Sequence, residues 1–569
     1  MVEVSPLAKL CISVAIQGME NVEKWRKQRR TLDRLPSPLS NALLHSLHQR
    51  RLLFPSLLEV FKNSVDSIDL SGDRNVDAEW LAYIGGFKCL QTLILSDCNR
   101  INNSALWPLI GMSALQEIDL SRCSKLSDHG IKYVLAIPTL EILRISQTSV
   151  TEKGVSLLIA LKNLSVLELG GLPVTDQVLI TLQALSNLEH LDIWGSEITD
   201  IGASTLSSFP KLRSLNIAFT SVGSIPALKS IESINMSHCI ITSLSSASLT
   251  KLVLSGSSFT NNNEALHCVD TSLLTYLDVS NSSFGDFFFL NHLKFIQYLD
   301  LASTLVEDTS LEIIAKVGST LKHLNLSKTK ITSNGVAFLV GNVPVLQCLS
   351  LSQTLVNDSA IQFIALIPSL KSLNLSGTHI RGHDWNTKRS LEGLKFMGEL
   401  ESLNLEDTKV TEAGLGPLKE VQKLKKLFLR NGSLTDCAIH LMSYNSGLED
   451  LWLRDAMVTD DGLGSFDPPK RLETLDLSGC WLLSEDALLS FCERHSSIKV
   501  VHELLEDKTR QHQQVVNSRQ VKVSVWPSMS PLFGDQRLKY NREELLSKQF
   551  SSASLRLPRH NLLFFPESG

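Results

Sequence analysis

A twelve-residue phrase returns along this chain at a nearly fixed interval. Residues Leu140–Thr151 read LEILRISQTSVT, and Leu400–Thr411 read LESLNLEDTKVT. The shared form is L-x-x-L-x-L-S-x-T/C-x-V/I-T, from about residue 65 to about residue 480. A regular period of roughly 20–50 residues decides the fold class before any local pattern does. The pivot of each phrase is its second apolar residue: Ile68, Leu93, Ile118, Leu143, Leu167, Leu191, Leu215, Ile234, Leu252, Leu277, Leu299, Leu324, Leu349, Leu373, Leu403, Leu427, Leu451 and Leu475. These are about eighteen copies, mostly 24 or 25 residues apart.

The first, fourth and sixth positions of the phrase point their side chains inward. One unit alone cannot bury that face, but stacked neighbours make a continuous core. After each strand the sequence places Thr or Ser and then often an acid, as in Thr151-Glu152, Thr175-Asp176, Thr199-Asp200, Thr411-Glu412 and Thr459-Asp460. These are helix-start signals. Apolar residues at helical spacing follow, such as Val155, Leu158, Ile159 and Leu161, so most outer segments are expected to be helices. The phrase and its period resemble the leucine-rich repeats, of the cysteine-containing intracellular type. The resemblance implies an α/β solenoid, a horseshoe with parallel strands inside and helices or loops outside.

The 569 residues carry a net charge of −5, unevenly spread. The repeat array holds 35 Lys/Arg against 47 Asp/Glu, near −12, which disfavours a nucleic-acid groove. No apolar run is long enough for a membrane span. The first residues have an acid and no basic residue before their apolar stretch, which argues against a secretory signal. The ten cysteines form no C-x-x-C pair, so no zinc or redox motif is indicated. Cys98, Cys123, Cys239 and Cys480 share one repeat position and read as small buried residues in a stack. An intracellular protein of the cytoplasm or nucleus, with reduced thiols and no cofactor, is expected.

Residues 1–62 hold three apolar segments, roughly 6–18, 20–32 and 38–62, before repeats that run over 63–500. A cap is required there, since the first repeat would otherwise expose its core. Two patterns go beyond a cap. Pro6-Leu7 through Cys11 to Ala15 has the form (S/T/P)-L-x3-C-x3-(A/I/L/V), with Leu7, Cys11 and Ala15 on one helix face. It resembles the elongin C-binding box of ubiquitin-ligase substrate receptors. Leu35, Pro36, Leu39 and Leu43 then resemble the cullin-binding box, and receptors of the Zyg-11 and Zer-1 type carry both boxes ahead of their repeats. The second segment also resembles a degenerate F-box, without its usual ending. The resemblance implies an elongin C or F-box-type adaptor and a cullin as partners.

The spacing is irregular twice. Between Leu215 and Leu252 the steps shrink to 19 and 18 residues, leaving room only for outer loops and implying a local change of curvature. Between Leu373 and Leu403 the step grows to 30, the excess falling in the polar stretch 379–390. The residue after the pivot is mostly Asp or Asn, including Asp69, Asp119, Asp192, Asn216, Asn235, Asp278, Asp300, Asn325, Asn374, Asn404 and Asp476. Alternation along a strand turns it to the concave side, as an acidic, hydrogen-bonding inner wall. Two adjacent units break that rule with LKKLFLR and LEDLWLR. Phe428 and Trp452, flanked by Arg430 and Arg454, have the composition of a binding hot spot and are expected to hold a substrate. Trp194 with His190 and Phe219 is a second candidate.

Residues 501–569 are polar and mixed, so a largely disordered tail with a short helix near 540–549 is expected. Within it Tyr540, Leu545 and Leu546 match Y-x4-L-Φ. That resembles the motif by which disordered proteins bind the mRNA cap-binding translation initiation factor. No nucleophile turn, phosphate loop or paired-carboxylate arrangement stands out, so catalysis is not expected. The sequence therefore reads as an interaction protein. A cullin–RING ligase substrate receptor is the sharpest form, with a translation-linked adaptor and a plain scaffold as alternatives.

Overall fold

The computed structural model describes residues 5–27, 35–246, 249–261, 265–266, 268–285, 287–382 and 390–505. Every pivot takes its expected place. Ile68 pairs in parallel with Leu93, Leu93 with Ile118, and so on through Leu451 with Leu475, without a shift in register. The short steps at Leu215, Ile234 and Leu252 keep the same register as the long ones. The sheet has nineteen parallel strands, one more than the repeat phrase announces. The last, Lys499–Val501, lacks the leucine phrase and pairs Val500 with Leu475. The pivots are buried in one core that runs from Ile16 to Ile498.

The strand exits share a single backbone device. In seventeen of the eighteen repeats the residue four beyond the pivot has positive φ, as at Gly72, Asp97, Lys328 and Gly479. Glycine takes this conformation freely, but eleven of the seventeen are other residues. The fold imposes the turn at a cost that each non-glycine residue bears.

Outside the strands run short α-helical or 3-10 segments, from three residues at Leu158–Ala160 to ten at Asp308–Val317. The acid at the first position of these helices does more than start a helix. Asp128 accepts the N–H (2.8 Å) and hydroxyl (2.6 Å) of Thr151 in the next unit. Asp176 does the same for Thr199, Asp308 for Thr332 and Asp436 for Thr459. The helix starts thus lace neighbouring units together.

The compressed units differ from the expectation of loops. Their outer side carries strands, Ser224–Leu228 and Ser243–Ser246, which pair in a three-stranded parallel sheet with Cys268–Val269 of the next, full-length unit. Ile240–Ile241 pairs separately with Ser258–Phe259. A stretch too short for a helix can still satisfy its backbone groups by pairing with the same stretch one unit on.

The cap consists of α1 (Pro6–Ala15), α2 (Met19–Lys27) and α3 (Ser37–Gln49), followed by a 3-10 segment, Pro55–Phe61. The third expected segment is therefore split. Arg51 sits at φ 56° and closes α3 with Leu52 N–H to Leu47 O and Arg51 N–H to His48 O, each 2.9 Å. That is the helix-ending pattern usually built on glycine. Asn41 donates to Asp66 (2.5 Å) and His48 lies 3.1 Å from Asp73, fastening α3 to the first repeat.

The buried thiols behave as small core groups. Cys98, Cys123 and Cys480 donate to the carbonyls of Leu70, Leu95 and Leu453 at 3.2–3.3 Å. Burial pushes all three up to about 12. Among the described residues no helix is long and apolar enough to cross a membrane.

Candidate functional site on the concave face

The expected acidic wall is first of all a set of turn caps. All eleven Asp and Asn residues named above accept the N–H two residues on, for example Asp119 from Ser121 (2.8 Å) and Asn404 from Glu406 (2.9 Å). A short polar side chain mimics a backbone turn in this way. Where an Asn follows, it takes the second oxygen as well: Asn216 donates to Asp192 (3.0 Å) and Asn325 to Asp300 (2.9 Å). Burial pushes the Asp192 and Asp300 carboxyls above their ordinary range.

Phe428 and Trp452 meet as the repeat register requires. Their strands, Lys426–Arg430 and Asp450–Arg454, pair at five positions, and the rings stack with centroids 4.1 Å apart, 9° from parallel. An aromatic ring cannot cap the turn, and the Phe428 strand runs on to Arg430. Asn431 caps instead, accepting from Ser433 N–H at 2.9 Å, and this repeat alone among the eighteen lacks the positive φ. The arginines are less free than the sequence suggests. Arg430 donates to Asp455 (2.6 Å), and Arg454 donates twice to Asp476 (2.6 and 2.9 Å). Burial pushes the Asp476 carboxyl up, but Arg454 and Ser478 outweigh it and hold it below the usual carboxylate range. The site is an aromatic pair set among neutralised charges.

The Trp194 cluster is split. Trp194 lies over Gly170, where any Cβ would overlap the indole. Phe219 stacks instead on His238, with centroids 4.2 Å apart. His190 pairs in register between Val166 and Ser214. Among the described residues no ring contact joins the three.

A second aromatic stack stands in the column before the pivot, which the sequence reading did not follow. Tyr276 and Tyr298 face each other in register, centroids 4.2 Å apart and 2° from parallel. Lys251 Nζ lies 4.7 Å from the Tyr276 centroid, and His323 tilts against Tyr298 at 5.8 Å. Reading that column across four successive units gives Lys, Tyr, Tyr, His, which was the available signal. Burial pushes both phenols above their ordinary range, with Asp278 and Asp300 adding to it.

At the other end of the array, α1 turns one apolar face outward. Leu7, Leu10 and Val14 are 71%, 61% and 52% exposed, Cys11 is exposed and Ala15 half-buried. Ile12 and Ile16 on the opposite side pack on the core. The second box is divided. Pro36 is exposed at the start of α3, Leu35 and Leu39 are half-buried, and Leu43 is 6% exposed and belongs to the core. Leu43 therefore holds the cap together and offers no surface to a cullin. A cleft of about 990 Å³, lined by Lys9, Ile12, Asn41, His45, Arg50 and Asp69 among others, lies between α1, α3 and the first strands. Tyr540, Leu545 and Leu546 lie outside the described residues.

A family model described as "Leucine Rich repeat" matches residues 184–207 and 319–340. No curated protein matches the chain. Among solved structures, a leucine-rich-repeat protein of Leptospira interrogans is 17% identical, over 79% of this chain and 92% of its own, with a TM-score of 0.35. An internalin of Listeria monocytogenes is 19% identical, over 75% and 94%, with a TM-score of 0.30. The mouse RP105/MD-1 complex is 15% identical, over 79% and 81%, with a TM-score of 0.47. With its unbroken register and its matched repeats, the chain is a leucine-rich-repeat solenoid.

Proposed function

We propose that this chain is a protein-interaction module serving as the substrate receptor of a cullin–RING ubiquitin ligase. The observation that carries the reading is the outward face of α1. A cap needs its apolar residues turned toward the first repeat, and Ile12 and Ile16 meet that need. Leu7, Leu10, Cys11 and Val14 do not contribute to it and stay exposed. An apolar helix face left open on a soluble fold is the usual form of a partner-binding surface. In this reading elongin C, or an F-box-type adaptor, takes the Leu7/Cys11 face. A cullin lies along Pro36 and Leu39, and the concave wall around Phe428 and Trp452 holds the substrate.

The test is affinity purification of the intact chain beside a Leu7→Asp/Cys11→Ser double variant. An adaptor and a cullin recovered with the first and lost with the second are expected. Their absence from both samples leaves a leucine-rich-repeat scaffold. Recovery of the cap-binding initiation factor, lost on Tyr540→Ala/Leu545→Ala, would favour the translation-linked adaptor.

A further inference from the structure

We propose that the inner wall of three consecutive units, those pivoting on Leu324, Leu349 and Leu373, docks an acidic peptide segment of a partner protein. The inference rests on the concave face being the partner surface, and is independent of the adaptor at α1.

Charge sets these units apart. Leu321–Lys328, Leu346–Gln353 and Leu370–Gly377, which form the inner strands and the turns after them, contain no Asp or Glu. No other three consecutive units share this, in an array that holds 47 acidic residues against 35 basic ones. Lys322, Lys328 and Lys371 remain, all exposed. Among the described residues none of the three meets a carboxylate, and Lys322 donates to the neutral Gln297 at 3.0 Å. Elsewhere the array neutralises such charges: Lys423, Lys425 and Lys426 each pair with an acid. Burial pushes the Cys348 thiol up and the Lys371 ammonium opposes it, so Lys371 reaches the wall beside Cys348.

The wall here also holds an unused donor. Where an Asn follows an Asp in the column after the pivot, it caps its own turn and gives its amide to that Asp, as Asn325 does to Asp300. Asn374 caps its turn in the same way, accepting from Ser376 N–H at 3.0 Å. Its neighbour in register is Ser350, not an acid. Among the described residues the Asn374 side-chain N–H groups have no acceptor. Ser372 flanks the same pivot on the same side of the strand, and Ser352 and Ser376 bond to each other at 2.8 Å. A carboxylate laid there meets an ammonium, an amide and a hydroxyl, and hydrogen bonds to a charged acceptor are the strong ones. The patch is short. Three strands about 4.8 Å apart span about 10 Å, room for about three residues of extended chain. Asp300 bounds it on one side, and Glu401 and Glu406 on the other. A nucleic acid would run onto these carboxylates, so a short cluster of Asp or Glu fits best.

The test uses the purified full-length chain. Random twelve-residue peptides displayed on phage are selected on it, and the winners are synthesised with a fluorescent label and titrated by anisotropy. Peptides with clustered Asp or Glu are expected, bound more weakly as salt is raised. Lys371→Gln should bind them about tenfold more weakly, as loss of one charged hydrogen bond predicts. Lys371→Arg keeps the charge and retains binding. Asn374→Asp weakens it as well. Asp makes the same turn bond at Asp119 and Asp278, so this variant adds charge and leaves the turn intact. Lys153→Gln removes one charge from an outer helix and leaves binding unchanged. Recovery of no peptide, of basic or uncharged peptides, or of peptides bound equally by Lys371→Gln and Asn374→Asp overturns the proposal. Peptides that ignore both changes but are lost on Trp452→Ala overturn it while keeping the concave face as the partner surface. No adaptor is present in the assay, so failure here leaves the reading of α1 untouched.

Discussion

Asp436 holds Thr459 of the following unit by two bonds at once, one from the backbone N–H and one from the hydroxyl, each 2.7 Å. The contact needs a gap in the helix that Thr459 starts. Gly462 supplies it, because a Cβ there would overlap the Asp436 carboxylate. The same gap appears at Gly154 under Asp128, Gly202 under Asp176 and Gly335 under Asp308. Neighbouring repeats are therefore joined by a polar lacing as well as by their core.

Gly462→Ala should destabilise the array, whereas Gly464→Ala, two residues on in the same helix, should not. Nothing lies within 4 Å of a Cβ at Gly464, and alanine there is worth up to about 1 kcal/mol in helix propensity. Asp436→Ala should cost about 1–2 kcal/mol, the range of a lost cap. Urea denaturation of the three variants reads all of these, and equal midpoints for the two glycine changes would refute the lacing.

The Phe428–Trp452 stack should show as a coupling. A double-mutant cycle of Phe428→Ala and Trp452→Ala is expected to give an interaction of about 0.5–1.5 kcal/mol in stability, as aromatic pairs do. Strict additivity would mean that the rings do not rest on each other in solution.

Thiol labelling separates the cysteines. At pH 8 and native conditions, iodoacetamide should modify the exposed Cys11, Cys89, Cys268 and Cys437. Cys98, Cys123 and Cys480 should stay unmodified until unfolding, since burial pushes them up to about 12 and leaves almost no thiolate. Mass spectrometry of the digested protein distinguishes the two groups.

Acid should find Asp476. Its carboxyl is held below the ordinary range despite burial. It therefore binds its proton less readily folded than unfolded, and its stabilising contribution is present above the unfolded value of about 3.9. That contribution fades as pH falls toward and through the folded value. Asp476→Asn keeps the turn cap but lacks the titration, so its stability should fall less steeply than wild type below about pH 4. Parallel slopes in urea midpoints against pH would contradict this.

The phrase that repeats was enough to place every pivot from Ile68 to Leu475, because strand register depends on the buried column and on little else. Other features were hidden for physical reasons. Thr151-Glu152 looks like a local helix start, but the bonds that matter run between units and have no signature within one. Aromatic residues at Phe428 and Trp452 stood out against a column of Asp and Asn. Tyr276 and Tyr298 sit in a column with no consensus, so nothing marked them as unusual until adjacent strands were laid side by side. Arg430 and Arg454 read as free donors, since their partners Asp455 and Asp476 lie about one repeat away. At Leu43, periodicity could not tell a docking residue from a core residue, because both need an apolar face.

The outer strands at Ser224–Leu228, Ser243–Ser246 and Cys268–Val269 bear on how neighbouring units stack. Packed helices stand about 8–10 Å apart and strands about 4.8 Å. A unit with a helix outside and a strand inside is a wedge, and stacked wedges bend. A unit with strands on both sides is a slab of even thickness. Lengthening the outer connections that carry Ser224–Leu228 and Ser243–Ser246 enough to form a helix would turn those slabs into wedges and change the angle at which the neighbouring units stack.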